Sequence, residues 1–195
     1  MKKELTYSQF TKKKKKRTNM KMHRILSIVL AIILAFSVAE AFLDEKTQQM
    51  VNGICKQTTD TKFCSSVLLK NLNTLPASNK DIMNVTVSEA ERFAANTYFF
   101  ISTLLRNAGD ERPDLQACAE AYAIVNSAFT NAVSFFKQAY YNKIVKIEKK
   151  VSTAVDICKT DFYVPGYKIN PLVERNRQTK ILVSMEKIVS HMVSS

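Results

Sequence analysis

The chain has 195 residues, 46% of them apolar, and its 29 basic against 17 acidic residues give a net charge of +12. Of this charge, +8 lies in residues 1–41 and only +4 in the other 154, so no nucleic-acid partner is needed to explain it. The three glycines leave no room for a GxGxxG or Walker phosphate loop, which excludes the dinucleotide-binding and nucleotide-hydrolysing classes.

The first 41 residues are typical of a secretory signal peptide. A basic run, Lys12–Arg17, precedes an uncharged apolar stretch of twelve residues, Ile25–Phe36, which is shorter than the ~20 residues that a membrane-spanning helix needs. Ala39 and Ala41 then supply the A-x-A pattern of a cleavage site. We expect a secreted chain that begins near Phe42 and has no membrane attachment after cleavage. The alternatives are an uncleaved anchor and a basic arm that binds nucleic acid.

All four cysteines of the chain follow the expected cleavage site. An even number of cysteines in a secreted chain favours disulfides, for which three connectivities exist. The spacings contain no CxxC pair, and only one histidine follows residue 41, so we expect no metal site. The cysteines are Cys55, Cys64, Cys118 and Cys158.

Residues 42–78 are predicted to form a short helical hairpin and a linker. Cys55 and Cys64 have their midpoint in a polar turn, so helices over 47–55 and 62–72 would place them face to face. Pro76 and its polar neighbours predict the linker. We therefore expect a Cys55–Cys64 bridge that closes the hairpin.

A long helix is predicted over 81–107, as the first of four in a bundle that spans 79–195. Its apolar residues recur every three or four positions, and Gly109 is placed to end it in a left-handed cap. Ser88 and Glu91 also fit a capping box, which would move the start of the helix to Ser88.

One N-x-S/T sequon, Asn84-Val85-Thr86, lies near this predicted helix start. In a secreted chain such a sequon is an acceptor for an N-linked glycan when it is accessible. We predict that Asn84 is glycosylated, and the alternative is an unused sequon.

The second and third helices are predicted on either side of a break near residue 138. The second opens at Pro113 and carries an apolar stripe with spacings of three and four that includes Cys118. The third, over 141–159, carries the same kind of stripe, which includes Cys158. Residues equidistant from the turn face each other in antiparallel helices, and the midpoint of 118 and 158 is 138. We expect a Cys118–Cys158 bridge across this hairpin.

A last helix is predicted after Asn170-Pro171, which fit its N-cap and first residue. Its apolar residues again recur every three or four positions, and no segment of the chain alternates as a strand would. The predicted fold class is all-α: an up-down-up-down four-helix bundle preceded by a short disulfide-clasped helical hairpin, with 42–195 as one domain.

Enzyme chemistry has little support in this sequence. His191 is the only histidine after residue 41, no nucleophile motif accompanies it, and the carboxylates are scattered. We predict a non-catalytic binding protein without a cofactor. Four lysines form a basic edge on the third helix, either as a solvated face or as a weak contact with an acidic polymer such as pectin. They are Lys143, Lys146, Lys149 and Lys150.

Several motifs together resemble the plant invertase/pectin methylesterase inhibitor family. They are I-C-x8-C from Ile54, L-x2-C-A-E-x-Y from Leu115, V-S-T-A-x3-C-x3-F from Val151, and Pro171-Leu172. The resemblance implies a helical hairpin followed by a four-helix bundle, with bridges between the first and second and between the third and fourth cysteines. It also implies a non-catalytic inhibitor of the cell wall or vacuole. Some members cap the substrate cleft of pectin methylesterase, and others block acid invertase.

The resemblance also bears on the target enzyme. Invertase-type members carry Pro-Lys-Phe between the second and third helices, whereas Tyr141-Asn142 of this chain looks like the esterase-inhibitor side. We predict a pectin methylesterase (pectinesterase) inhibitor of the apoplast, with acid invertase as the alternative target. A helical carrier or signalling bundle for a small apolar ligand is the alternative of a different class. Glu120 matches the acidic second helix of esterase inhibitors and three other candidate partner contacts depart from it: Ile124, Ser127 and Thr160.

Overall fold

Residues 44–194 are the part of the chain that the computed structural model describes, and they are mostly helical. Within this range no strand occurs, and no helix is long and apolar enough to cross a membrane. The expected signal peptide lies outside the described residues and stays a prediction. The helices of the described range are α1 Glu45–Cys55, α2 Thr61–Asn71, α3 Asn79–Arg106, α4 Arg112–Lys137, α5 Tyr141–Val145, α6 Ile147–Ile157 and α7 Leu172–Ser194.

Helices α1 and α2 form the predicted hairpin. Asp44 and Asp60 cap them, each by accepting a hydrogen bond at 2.9 Å from the backbone N–H three residues further on. The Cα atoms of Cys55 and Cys64 lie 5.4 Å apart, and the two residues form the disulfide that the midpoint argument predicts. Because α1 packs on α7 and α2 packs on α3 and α7, the hairpin shares the core of the bundle.

Helix α3 begins at Asn79, which is earlier than either predicted start. Ser78 and Asp81 form a reciprocal capping box: the Asp81 N–H donates to the Ser78 hydroxyl at 3.2 Å, and the Asp81 carboxylate accepts from the Ser78 N–H at 2.8 Å. The predicted start at Ser88 is wrong, because the Ser88 backbone already lies well inside the helix. The predicted left-handed cap at Gly109 is also wrong, since α3 ends at Arg106 with Asn107 as its C-cap, and Gly109 has no positive φ.

Four helical rods make up the bundle: α3, α4, the α5–α6 pair and α7. Contacts join α3 to α4, α4 to α6, α6 to α7, and α7 back to α3, so the rods surround a common core. The predicted apolar stripes face this core, and the large side chains of Tyr122 and Phe129 are fully buried within it. A centre filled by aromatic side chains argues against a carrier that holds an apolar ligand there.

The third rod differs in two respects from the single helix predicted over 141–159. It is split at Lys146 into α5 and α6, and α6 ends at Ile157. Ile144 and Ile147 are buried on either side of the split, so the apolar stripe continues across it. Helix α5 lies mainly against α7, whereas α6 lies against both α4 and α7, and the split allows this change of packing partner.

The turn between α4 and α5 ends α4 in a Schellman motif. The Tyr140 N–H donates to the Phe135 carbonyl at 2.8 Å, and the Ala139 N–H donates to the Phe136 carbonyl at 3.0 Å. Ala139 has φ of 59°, the left-handed conformation that glycine adopts without a steric penalty. An L-residue with a Cβ atom pays about 1–2 kcal/mol for this conformation.

Glu186 of α7 is the most unusual side chain of the core. It is fully buried, and neither of its carboxylate oxygens has a hydrogen-bond partner among the described residues. Because burial disfavours the charged form, it raises the pKa of Glu186 well above its usual range. The folded chain therefore keeps this carboxyl neutral at pH values where an exposed glutamate is ionised.

Replacement of Ala139 by glycine is expected to stabilise the fold by about 1 kcal/mol, because it removes the steric cost of the left-handed turn. The midpoint of urea unfolding measures the change. Gly166→Ala is the matched control of opposite sign, since Gly166 has φ of 85° and an added Cβ would be strained there. A139G that unfolds at the same or lower urea concentration than the parent would contradict the assignment.

Glu186→Gln is expected to flatten the pH dependence of stability. The folded pKa is raised, so the folded chain binds more protons than the unfolded chain once the pH exceeds the unfolded value of about 4.3. Stability is therefore greatest below that value and falls by up to about 1.4 kcal/mol per pH unit as the pH rises toward the folded pKa. Urea unfolding from pH 4.5 to 7.5 measures the slope. Glu120→Gln on the exposed face of α4 controls for the loss of one carboxylate, and an unchanged slope in E186Q would refute the role of Glu186.

Candidate functional site

The Cys118–Cys158 disulfide lies at the centre of a network that joins three helices. It pairs α4 with the residue that follows α6, with the two Cα atoms 4.2 Å apart, as the midpoint argument predicts. The Asn176 side-chain amide of α7 donates to the Cys158 carbonyl at 2.7 Å. The Tyr122 hydroxyl of α4 donates to Asn176 Oδ1 at 3.0 Å and lies 3.0 Å from Thr179 Oγ1. The bridge and these hydrogen bonds fix α7 against the α4–α6 pair.

Tyr122 is the tyrosine of the C-A-E-x-Y motif, and the network explains its place there. Its ring fills the core while its hydroxyl forms hydrogen bonds with Asn176 and Thr179 of α7. Burial raises the pKa of Tyr122 to about 12, so the hydroxyl keeps its proton and remains a donor.

The connection from α6 to α7 is held by two side chains of the α7 end. The Asn170 amide donates to the Phe162 carbonyl at 3.1 Å, and its Oδ1 accepts from the Leu172 N–H at 2.9 Å, which is the predicted N-cap role of Asn170. Arg175 donates to Thr97 of α3 at 3.1 Å. These contacts fix the α7 end of the connection against the bundle.

A groove open to solvent runs between α4 and α6. It has a volume of about 480 Å³, and aliphatic side chains form its floor. Ile124 is 40% exposed and Ile157 is 51% exposed, which is unusual for residues of this type. The lining residues are Ile124, Lys146, Lys149, Lys150, Thr153, Ala154 and Ile157.

Charge is distributed unevenly around α6. Its two acidic residues face α7, where Glu148 pairs with Lys187 at 2.7 Å and Asp156 pairs with Lys180 at 2.6 Å. On the side that faces α4, the lysines of the groove, Lys146, Lys149 and Lys150, form no ion pair within residues 44–194. The groove is therefore positively charged, although the two faces of α6 together are nearly balanced.

Only one of the four candidate partner contacts lies in the groove, and that residue is Ile124. Glu120 and Ser127 are exposed on α4, about one turn to either side of Ile124. Thr160 is half-buried in the connection after α6, and it does not line the groove. The structure thus gathers three of the candidates on one helix face and separates Thr160 from them.

The sequence prediction overlooked Ile157, although a signal for it exists. Ile157 is apolar but falls one position before Cys158 on the buried stripe of α6, and Ile124 is similarly out of step with the stripe of α4. Apolar residues off a core stripe on two facing helices indicate an exposed apolar groove.

Lys143 does not line the groove with the other three lysines of the predicted basic edge. Its ammonium lies 4.4 Å from the centre of the Tyr140 ring and 5.3 Å from that of Phe135.

The sequon and the histidine lie apart from this groove. Asn84 is exposed inside α3 and not at the helix boundary where the sequence analysis placed it. Its glycosylation stays a prediction. His191 is exposed near the end of α7, and no group of three His, Cys, Asp or Glu side chains within the described residues is placed to hold a metal ion.

A disulfide-braced helical bundle that presents a rigid groove of apolar and basic side chains defines a helical binding protein. Residues 49–195 match the family described as plant invertase/pectin methylesterase inhibitor, and the chain belongs to this family. The family consists of non-catalytic inhibitors, so this chain is an inhibitor-type protein and not an enzyme.

A solved structure supports the fold. The crystal structure of a pectin methylesterase inhibitor from Arabidopsis thaliana matches with a TM-score of 0.56 and 14% sequence identity. The match covers 77% of this chain and 98% of the Arabidopsis chain. At this identity the likeness establishes the all-α fold alone. A comparison with curated protein sequences gives no match.

Tyr122→Phe is expected to destabilise the protein by about 1 kcal/mol, because it removes the hydrogen bond that the hydroxyl donates to the half-buried amide oxygen of Asn176. The free energy of urea unfolding measures this loss. Tyr163→Phe removes the same atom from a side chain that is 70% exposed, and it should change stability by less than about 0.5 kcal/mol. Equal effects of the two substitutions would contradict the role given to the buried hydroxyl.

Proposed function

We propose that this protein inhibits a pectin methylesterase by docking the face formed by α4 and α6 over the substrate cleft of the enzyme. The observation that carries the proposal is the groove itself, where two half-exposed isoleucines lie between a basic edge and the exposed stripe of α4. A few fully desolvated, well-packed residues near the centre of an interface contribute most of the binding energy, and the residues around them exclude water.

The rigidity of this face supports an inhibitor role. The Cys118–Cys158 bridge joins the helices on either side of the groove, so the face needs little rearrangement on binding. A surface that is already ordered loses less conformational entropy when it binds, and its affinity is correspondingly greater.

Acid invertase is the second candidate target, and one observation favours it. In the α4–α5 turn, Tyr140 is 45% exposed, its backbone is held by the Schellman motif, and its ring contacts the Lys143 ammonium. An exposed aromatic side chain on an ordered turn is suited to insertion into an active-site pocket. The two targets therefore predict different contact residues.

The proposed place of action is the cell wall, with the vacuole as the alternative. Supporting observations are the A-x-A signal pattern of residues 1–41, the two disulfides, and the exposed position of Asn84 on a helix that does not line the groove. Disulfides persist in oxidising, extracellular compartments. A glycan at Asn84 would leave the α4–α6 face accessible.

Titration of the purified protein against pectin methylesterase and against acid invertase at mildly acidic pH tests the proposal. We expect inhibition of the esterase, and Ile124→Asp should weaken it about tenfold or more, because a carboxylate would be desolvated in the interface. Phe99→Asp is the control, since Phe99 is 66% exposed on α3 and does not line the groove.

The same titration separates the two targets. Tyr140→Ser should leave esterase inhibition within about twofold of the parent, because the turn lies at the end of the face and not in the groove. Inhibition of invertase alone, with a loss in Y140S and none in I124D, would replace the esterase with the alternative target. Loss of neither enzyme activity on addition of the parent protein would remove both.

A further inference from the structure

The lysine-lined groove has a charge pattern that enzyme docking does not by itself require. Three lysines, at positions 146, 149 and 150, lie at the N-terminal end of α6 and line the groove. The acidic residues of α6 point away from the groove and form ion pairs with lysines of α7. The groove follows α6 from Lys146 to Ile157, a length of about 16 Å at the rise of an α-helix. It is thus an elongated, open channel with a concentration of positive charge.

The chemistry of a matching ligand follows from this arrangement. The ligand must be linear, because the groove is long and open, and it must carry negative charges, because the charged groups that line the groove are all ammonium groups. It must also present C–H surface to the isoleucines of the floor and hydroxyls to Thr153. A polyuronate meets these requirements, since each sugar ring has apolar faces, hydroxyl groups and one carboxylate.

We propose that the α4–α6 groove binds de-esterified pectin, a linear polyuronate, through Lys146, Lys149 and Lys150. The choice of this polymer rests on the proposed function, because hydrolysis of pectin methyl esters by the target enzyme produces these carboxylates. The polymer and the enzyme would occupy the same face. Binding of one therefore excludes the other, and accumulation of the carboxylate product releases the enzyme from inhibition.

Equilibrium binding of polygalacturonate fragments to the purified protein, without any enzyme, tests the site. Binding is expected at low ionic strength and should weaken as salt screens the lysines. Fully methyl-esterified fragments of the same length should not bind, because esterification removes the charge and leaves the sugar chain. Failure of the unesterified fragments to bind would overturn the proposal.

Two triple variants with the same net charge locate the site. K146Q/K149Q/K150Q should weaken polygalacturonate binding about tenfold or more, at roughly two- to fivefold for each exposed charge. K56Q/K62Q/K70Q removes three exposed lysines from the α1–α2 hairpin that also form no ion pair within the described residues, and it should bind like the parent. Equal losses in both variants would show that net charge alone is responsible and would overturn the assignment to the groove.

Poly-glutamate of matched charge distinguishes a sugar site from a general anion site. Polygalacturonate that binds more tightly than poly-glutamate, with a difference that disappears in Ile124→Ser, supports the polyuronate site. Equal binding of the two polymers means that the groove reads charge alone, and the proposal is then wrong. Inhibition of the esterase, and its reversal by added polygalacturonate, is measured separately. Polymer binding without esterase inhibition would refute the proposed function and leave the binding site standing.

Discussion

The Cys118–Cys158 bridge and the hydrogen bonds around it are the constraint on which the rest of the structure depends. A disulfide that closes a loop of this length removes about 4 kcal/mol of chain entropy from the unfolded state in the loop-entropy treatment. The bridge also has a geometric effect: it fixes the axial position of α6 relative to α4. Ile157 therefore lies opposite the exposed face of α4 that carries Ile124. Asn176 then ties α7 to the same point through the Cys158 carbonyl.

The distribution of charge around one short helix determines the character of the surface. The chain beyond residue 41 has a net charge of only +4, which by itself indicates no particular partner. Since Glu148 and Asp156 are paired with lysines of α7, the positive charge of α6 is concentrated on the side of the groove. The net charge of +12 of the whole sequence therefore does not describe the groove. A partner that binds there interacts with the local charge of the groove lysines.

Most of the architecture could be predicted because it depends on the spacing of apolar residues. Periodicity predicts the helices. It also predicts both disulfides, because two residues that face each other across antiparallel helices lie at equal distances from the turn. The wrong predictions concern the two ends of α3, where more than one sequence pattern could mark a helix boundary. Ser78-x-x-Asp81 and Ser88-x-x-Glu91 are both capping boxes by pattern, and only the position of the linker selects the first. The sequence predicts a left-handed cap at Gly109 after α3, whereas the left-handed residue that ends a bundle helix is Ala139, after α4, where alanine gives no such signal.

The candidate site was harder to predict than the fold, because exposure depends on how helices are placed and not on their sequence alone. Tyr122 was recognisable as a core residue, yet its bonds to Asn176 and Thr179 join residues more than 50 positions apart. The groove likewise depends on the axial alignment of α4 and α6. Only in that alignment do Ile124 and Ile157, which lie outside the buried stripes of their helices, form one apolar floor.

The buried carboxyl of Glu186 makes the stability of this fold depend on pH. A buried glutamate without a partner costs stability whenever the medium favours its ionised form, and it costs least in mild acid. The opposite limit comes from surface carboxylates: the Phe63 N–H and Arg177 lower the pKa of Asp60, and the Ser78 side chain and N–H lower that of Asp81. Those contributions are present above the usual carboxyl range and are lost as the pH falls through the lowered values. The two effects act in opposite directions: Glu186 lowers stability as the pH rises, and Asp60 and Asp81 lose their contribution in stronger acid.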